Sequence, residues 1–282
     1  MTCSMEQAPG MEMRTLDLLE WPELCNRLAG YAVSAPGADL CKGLMPCVSE
    51  SQARLEMALT SEMVLFLENQ GALPTGPWGD MEELLARAEK GERLLGRELA
   101  QVADFLDSVG KVRMAFLEGQ ERYPGVGGIV QALDEVAWVR DAIKGAIDRD
   151  GNVMDQASPK LGSLRKEAKR RRDSITRRLE ELVKGVEASR FLQDSYYTVR
   201  ENRFVLPVRM EARSQLGGIV HDISSSGATC FLEPQWLVEL NNGLRMAELE
   251  VDKEVERILQ DLSGRVGQRV QALRQDQEVM AR

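Results

Sequence analysis

Residues 195–234, SYYTVRENRFVLPVRMEARSQLGGIVHDISSSGATCFLEP, have the pattern of a small β-unit in an otherwise helical sequence. Residues Arg203 to Met210 alternate between two faces as in a β-strand, and Glu201-Asn202 stands where a hairpin turn is expected. Pro207 lacks a backbone N–H, which predicts that its strand lies at a sheet edge or at a bulge. The stretch therefore predicts about four short antiparallel strands, a unit too small to be stable without neighbouring segments.

Helical patterns lie on both sides of this β-unit. Ser158-Pro159 is a typical helix start, with serine as the N-cap and proline at the first helical position. Apolar residues then recur at spacings of three and four through residues 159–190, and again through residues 235–282. Two such stripes joined by a compact β-unit are expected to run antiparallel and to bury their apolar sides against each other.

The first half of the chain has the pattern of short helices joined by loops. The opening helix is predicted to bury one stripe, formed by Leu16, Leu19, Leu24, Leu28 and Tyr31. Ser49 offers an N-cap for a helix that continues to about Glu68. A later helix is predicted from Gly128 to Ile147.

Composition limits the class of protein. The chain has 282 residues, of which 43% are hydrophobic, 5% aromatic and 29% charged, which favours a helical architecture over a β-sandwich. No apolar run approaches the roughly 18 residues of a membrane-spanning helix, and residues 1–21 lack the regions of a signal peptide. The five cysteines are Cys3, Cys25, Cys41, Cys47 and Cys230. Their odd number and the absence of C-x-x-C spacing favour reduced thiols and a cytoplasmic location.

Charge is unevenly distributed along the chain. The formal net charge is −9, yet residues 159–190 contain 11 Lys and Arg against 5 Asp and Glu. A basic arm on an acidic body is typical of a protein that brings only one part to a polyanion. A solvated coiled-coil face gives the same composition, so charge alone leaves both interpretations open. Apolar packing does not explain the run from Lys169 to Arg172, because clustered like charges repel along a helix.

The segment from His221 to Gly227, HDISSSG, is the one motif that resembles a catalytic site. Neighbouring residues of a strand point to opposite faces, so Asp222 cannot easily orient His221 as a base. The phosphate loop G-x-x-x-x-G-K-[ST] does not occur, and residues 148–155 lack the final Glu of an EF-hand and favour a turn. The serine run remains either a structural turn or an anion contact. No catalytic, cofactor-binding or metal-binding residues are predicted.

Long segments resemble the type-two branch of the MutS family. The most specific are VRENRFVLPV at 199–208, GGIVHDISSSGATCFLEP at 217–234 and LVELNNGLRMAELE at 237–250. TLDLLEW at 15–21 and DGNVMDQASPKL at 150–161 are similar to that branch as well. The resemblance covers essentially the whole chain from about Arg14 onward.

The resemblance implies a mainly α fold with a small antiparallel β insert: a helical core bundle and an antiparallel two-helix lever tipped by a β clamp. The intervals are a disordered N-terminus at 1–13, the helical core at 14–157, an ascending lever helix at 158–194, the clamp tip at 195–234 and a truncated descending lever helix at 235–282. Family members are dimers that close around nucleic acid and continue into an ATPase domain, which uses ATP and Mg²⁺, and usually into a nuclease domain. The chain is accordingly interpreted as a fragment without a cofactor or an enzyme activity of its own.

The leading hypothesis is the nucleic-acid-binding clamp of an ATPase and endonuclease that acts on branched or mismatched DNA to suppress recombination, or that binds collided ribosomes through rRNA. Phosphate contacts are predicted for Lys169, Arg170, Arg171, Arg172, Arg177, Arg178, Arg200, Arg203, Arg209 and Arg213. The full-length protein is expected to be a homodimer without membrane contact. The alternative is a scaffold that dimerises and transmits force without touching nucleic acid. An enzyme within these residues is the third interpretation, for which no catalytic constellation is found.

Overall fold

The computed structural model describes residues 13–76, 78–119 and 121–282. The predicted disordered segment, residues 1–13, therefore lies outside the described residues except for Met13, which begins the first helix. The chain forms two compact units, one of Met1–Met154 with Leu259–Arg282 and one of Asp155–Ile258. The five predicted domain intervals stay a prediction.

Most of the described chain is helical. The helices are α1 (Met13–Leu18), α2 (Trp21–Ala29), α3 (Ala35–Lys42), α4 (Glu50–Gln70), α5 (Glu82–Glu89), α6 (Gly96–Leu117), α7 (Pro124–Val130), α8 (Ala137–Ala146), α9 (Pro159–Lys184), α10 (Arg213–Leu216), α11 (Gln235–Gly267) and α12 (Val270–Ala281). Ser49 caps α4 as predicted, because its Oγ accepts a hydrogen bond from the Gln52 N–H at 3.2 Å. The predicted mainly α class is confirmed.

The first unit is built around α6, whose apolar residues recur every three or four positions. Leu99, Val102 and Leu106 on this stripe are completely buried. At the end of the helix, Phe116 stacks on Phe66 of α4 with ring centroids 4.3 Å apart. Aromatic packing thus joins α4 and α6, and it supplies part of the hydrophobic stabilisation of this unit.

The prediction of one buried stripe in an opening helix is wrong. Leu16 is buried, but Leu19, Leu24 and Leu28 are 64%, 56% and 45% exposed, and Tyr31 is 86% exposed. The chain breaks after α1, where Glu20 adopts a left-handed backbone with φ 54°. Because the break changes the direction of the chain, residues of α2 do not continue the face that Leu16 occupies.

The single helix predicted from Gly128 to Ile147 is also interrupted. The chain forms α7 and α8 instead, separated by residues 131–136. Val136 stands immediately before α8 with a positive φ of 36°, a backbone conformation that is unfavourable for a β-branched residue. The helical spacing of apolar residues continues through this turn, and residues 131–136 contain neither glycine nor proline, so the sequence pattern did not indicate the turn.

The second unit contains the predicted sheet. Its strands are β1 (Thr198–Arg200), β2 (Arg203–Arg209), β3 (Gly218–Ile223) and β4 (Thr229–Pro234). They pair antiparallel in the order β1-β2-β4-β3. Glu201 and Asn202 form the β1–β2 turn with φ of 49° and 61°, the pair of positive values that a tight type I′ hairpin requires. The prediction of four short strands and of this turn is confirmed.

The prediction that Pro207 places its strand at a sheet edge or at a bulge is wrong, because β2 is an inner strand and its register with β4 is continuous through Pro207. Pro207 lies in β2, which is flanked by β1 and β4, and it pairs with Phe231 of β4. Its carbonyl accepts a hydrogen bond from Gln193 N–H at 2.9 Å, on the side of β2 away from β4. Because the nitrogen and carbonyl of one strand residue lie on the same side, the missing donor faces this irregular segment and not the β4 ladder.

Helices α9 and α11 run antiparallel and pack with the sheet around one core. Ile175 and Leu179 of α9 share a buried cluster with Leu237 and Leu244 of α11 and with the inner residues of β2 and β4. Ser158, just before α9, bonds to Glu254 far along α11, whereas Arg178 lies over Trp236 at the start of α11. The antiparallel arrangement is confirmed, although α9 ends at Lys184 and a break at residues 268–269 divides the second run into α11 and α12.

Ser158→Ala is expected to lower the free energy of unfolding by about 1–2 kcal/mol, the usual effect of removing an N-cap. The Ser158 Oγ accepts from the Leu161 N–H at 3.0 Å and donates to Glu254 Oε1 at 2.9 Å. Urea denaturation followed by circular dichroism measures the change. Ser163→Ala is the control, since Ser163 is an exposed serine of the same helix. Equal losses in the two variants would contradict the capping role.

Candidate nucleic-acid interface

The six cations predicted on α9 are all exposed to solvent. Leu161, Ile175 and Leu179 are the buried residues of this helix, and their spacing turns the basic residues outward. Exposure is the first requirement for a phosphate contact. The second is that the cation is not already neutralised, and on that count the six residues differ.

Arg170 and Arg171 share one acidic partner. Both contact Glu167 in the preceding turn, and the Arg171 Nε lies 2.7 Å from Glu167 Oε1. The hydrogen bond from Arg171, together with the charge of Arg170, lowers the pKa of the Glu167 carboxyl. Two guanidinium groups on one carboxylate leave a net positive charge, so this turn of α9 stays basic.

Arg172 and Arg178 reach across to other elements. Arg172 pairs with Glu248 of α11, and its Cζ lies 5.9 Å from the ring centroid of Phe204 in β2. Arg178 lies over the Trp236 ring with its Cζ 4.6 Å from the centroid, within the range of a cation–π interaction. Both arginines therefore take part in holding α9, α11 and the sheet together.

Lys169 and Arg177 are the least committed of the six. In the described part of the chain, neither forms an ion pair within 4.0 Å. Both are exposed, and their separation of eight positions, about 2.2 turns, places them about 80° apart around α9. They are the cations whose charge is most available to an external anion.

The predicted cations of the sheet are used internally at two positions. Arg200 covers the Phe231 ring, with its Cζ 4.4 Å from the centroid, and its Nε lies 3.4 Å from Asp222 Oδ2. Arg203 pairs with the completely buried Glu233 and also donates to Asn242 of α11. These contacts give both arginines a structural role in the sheet.

Arg209 and Arg213 have fewer contacts. Arg209 ends β2 and is partly buried, while its backbone N–H donates to Phe191 O at 2.9 Å. Arg213 begins α10 and is exposed. Within residues 13–76, 78–119 and 121–282, neither side chain forms an ion pair. Their assignment as phosphate contacts, like that of the other eight residues, stays a prediction.

A buried polar network surrounds Glu233. Its Oε1 accepts from Arg203 and, at 2.8 Å, from Asn241 Nδ2, while its Oε2 lies 2.7 Å from His221 Nε2. Asn241 also pairs with both backbone groups of Phe204 in β2, at 3.2 and 3.0 Å. The network joins β2, β3, β4 and α11, so it fixes the sheet on the helix that carries Asn241.

This network assigns His221 a structural role. Its hydrogen-bond partner is Glu233 rather than Asp222, as the opposite orientation of strand neighbours predicts. The following serines form the β3–β4 turn: Ser224 Oγ accepts from Thr229 N–H at 3.1 Å, and Gly227 N–H donates to Ser224 O at 2.8 Å. The turn uses its own polar groups, which favours the structural interpretation of the motif.

A groove of about 550 Å³ opens between α9 and α11 beside the β1–β2 turn. Arg165, Lys169 and Arg172 line it from α9, and Arg245 lines it from α11. Sequence reasoning missed Arg165 and Arg245. The spacing Arg165-x₃-Lys169-x₂-Arg172 places the first three on one helix face and was sufficient to find Arg165. Arg245 is brought to the groove only by the antiparallel packing, which carries no local signal.

Two further kinds of site are absent from the part of the chain that the structure describes. No group of three or more His, Cys, Asp or Glu side chains is placed to hold a metal ion. No described helix combines the length and the apolar character needed to cross a membrane.

Comparison with known proteins identifies relatives along nearly the whole chain. No protein-family model matches it. Endonuclease MutS2 of Geobacillus sp. (strain WCH70) is 33% identical over 274 residues, which cover 96% of this chain and 35% of that protein. Endonuclease MutS2 of Symbiobacterium thermophilum is 36% identical over 263 residues, covering 93% and 33%. Putative endonuclease MutS2 of Bacillus subtilis (strain 168) is 32% identical over 273 residues, covering 96% and 35%.

The chain spans about a third of the length of these curated relatives. The shared region includes the segments on which the family resemblance was based, and that resemblance is confirmed. Because relatives from several bacteria align with almost all of its residues at about one-third identity, the chain corresponds to a segment, about a third in length, of MutS2-family proteins.

Proposed function

We propose that this chain is the nucleic-acid-contacting region of a MutS2-type protein, and that it holds its ligand by phosphates rather than by bases. The curated relatives are named endonucleases, enzymes whose substrate is nucleic acid. The observation that carries the proposal is the exposed basic face of α9, where Lys169 and Arg177 have no ion-pair partner among the described residues.

Five of the ten predicted cations fall into two contrasting groups. Lys169, Arg177 and Arg213 are exposed and uncommitted, which suits an anion that arrives from solvent. Arg200 and Arg203 hold the sheet together through Phe231 and Glu233, so their removal acts first on stability. Binding should therefore depend on the helix face more than on the sheet arginines, and variants of the first group report on binding with little loss of stability.

Lys169→Ala with Arg177→Ala is expected to weaken nucleic-acid binding and its dependence on salt. Each phosphate contact contributes about −0.9 to the slope of log K against log salt, so removing two contacts makes the slope shallower by about 1.8. Fluorescence anisotropy with a labelled four-way DNA junction, titrated between 50 and 200 mM KCl (about the range used for such slopes), measures both quantities.

The matched control is Lys90→Ala with Arg122→Ala. It removes one lysine and one arginine that are exposed in the other unit, so the change in net charge is identical. The control is expected to keep the slope of the parent chain. Equal losses in the two double variants, or a parent whose affinity is flat across the salt range, would contradict the proposal and favour the scaffold interpretation.

Suppression of recombination and binding of collided ribosomes are parts of the same proposal. Suppression of recombination requires preference for branched DNA, whereas a role on collided ribosomes requires preference for rRNA, and the same titration with a structured RNA separates the two. Homodimer formation, and the binding of ATP and Mg²⁺ for cleavage, are proposed for the whole protein.

A further inference from the structure

The groove between α9 and α11 contains a carboxylate at its basic centre. Glu248 Oε1 contacts Arg172, and Glu248 Oε2 lies 3.8 Å from Arg245 Nη1. The Glu248 side chain is 24% exposed, so it is shielded but not sealed in. One carboxylate therefore bridges two guanidinium groups that come from two different helices.

The seam between the two helices is open at this point. Ala168 and Val251 supply small apolar walls, whereas the neighbouring turns carry charged side chains. No residue of α9 between Leu161 and Ile175 is fully buried. The groove is thus an interruption of the apolar packing, with room of about 550 Å³ for a solvated group.

Four cations, Arg165, Lys169, Arg172 and Arg245, and two carboxylates, Glu248 and the exposed Asp252, line the groove. Arg165 pairs with Asp155, and the two oxygens of Glu248 are directed at Arg172 and Arg245. Among the described residues, neither Lys169 nor Asp252 forms an ion pair within 4.0 Å. A backbone phosphodiester carries one negative charge, as a carboxylate does, and its two non-bridging oxygens can each accept more than one hydrogen bond, including the bidentate bonds of a guanidinium group. A phosphate in this position can contact Lys169, Arg172 and Arg245 at once.

We infer that the α9–α11 groove binds a phosphate group through Lys169, Arg172 and Arg245, and that Glu248 is its built-in competitor, which must leave the two arginines before the phosphate is bound. The inference rests on the proposed function, because a nucleic-acid backbone is the phosphate source that it names. Glu248 then sets a threshold: weak or isolated anions do not displace it, whereas a backbone held at further points along α9 does.

Glu248→Gln is expected to tighten the binding of inorganic pyrophosphate by about threefold or more, since it removes the competing charge from a pair of moderate strength. Arg172→Ala and Arg245→Ala are expected to weaken binding. Isothermal titration of each variant with pyrophosphate at constant ionic strength gives the dissociation constants. The same variants titrated with the labelled DNA junction show whether the groove is used by a nucleic-acid backbone.

Glu250→Gln is the matched control, an identical charge change at an exposed position of α11 that does not line the groove. Equal tightening in the two glutamine variants would overturn the inference, because a general charge effect would then explain both. The double variant Glu248→Gln with Arg172→Ala tests the mechanism further. If Glu248 competes by pairing with Arg172, Glu248→Gln should change the pyrophosphate affinity little once Arg172 is absent. An undiminished gain in affinity would overturn the competition.

The outcomes separate this inference from the proposed function. If the junction binds in a salt-dependent manner but Glu248→Gln and Glu250→Gln have the same affinity for pyrophosphate, the inference about the groove is overturned and the proposed function is not. Tighter pyrophosphate binding in Glu248→Gln with no junction binding by the parent chain overturns the nucleic-acid proposal, and it supports a groove that serves free phosphates.

Discussion

Glu233→Ala is expected to lower the stability of the unit formed by residues 155–258 by about 3–5 kcal/mol, the usual loss when one partner of a buried ion pair is removed. Glu233 is completely buried, and its carboxylate forms hydrogen bonds with Arg203, Asn241 and His221. Without the carboxylate, these polar groups lose their acceptor in a region that excludes water. Opening of the sheet, together with the core that it shares with α11, should therefore require less free energy in the variant.

Hydrogen–deuterium exchange of residues 198–234 measures this loss, because the amides of β2 and β4 report on opening of the sheet. Glu239→Ala is the control, an exposed glutamate of the same helix as Asn241. The variant Arg203→Ala with Glu233→Ala is expected to lose less than the sum of the two single changes, since both break one interaction. Equal exchange in the Glu233 and Glu239 variants would exclude the network as the element that holds the sheet.

The features that sequence reasoning predicted correctly are those with a local cause. Ser158 and Ser49 each cap a helix through a backbone N–H only three residues ahead. The Glu201-Asn202 turn lies between two strands whose alternation is visible in the sequence. In each case the residues that decide the structure are adjacent in the chain, so pattern and propensity are sufficient.

The features that were missed depend on residues far apart in sequence. Arg172 and Glu248 are 76 positions apart, and nothing near either residue indicates that they pair. Arg203 is a residue type that commonly contacts phosphates, but its ion pair with Glu233, 30 positions later, gives it a structural role. A cation in the sequence therefore predicts positive charge, whereas its availability to a ligand is a property of the tertiary structure.

The exposed apolar residues of α2 illustrate the same limit. Spacing alone predicted Leu24 and Leu28 as core, because helical periodicity identifies a face without showing what covers it. The break at Glu20 separates these residues from Leu16, which is buried. Periodicity was correct that Leu24 and Leu28 lie in a helix, and wrong that this helix continues α1 and buries them.

Asp276→Asn is expected to remove a fall in stability of about 2–3 kcal/mol that the parent chain shows between pH 5 and pH 8. Asp276 of α12 is completely buried, and burial raises the pKa of its carboxyl to about 7 from the ordinary 3.8. Its Oδ1 accepts from the Asp134 N–H at 2.8 Å, and its Oδ2 has no hydrogen-bond partner among the described residues. The charge of Asp134 raises this pKa further, while Arg269 and Arg113 oppose the shift.

The direction of the effect follows from proton uptake. Between pH 4 and pH 7, roughly, the folded state keeps the proton that the unfolded state has lost, so stability falls as pH rises at about 1.4 kcal/mol per unit. Asparagine keeps the acceptor for the Asp134 N–H and has no proton to lose, so its free energy of unfolding should lack this component. Urea denaturation of both chains at pH 5 and pH 8 measures the difference, and Glu278→Gln, an exposed change on the same helix, is expected to follow the parent. Parallel pH profiles for the parent and Asp276→Asn would show that Asp276 is ionised in the folded chain, with Arg269 and Arg113 compensating its burial.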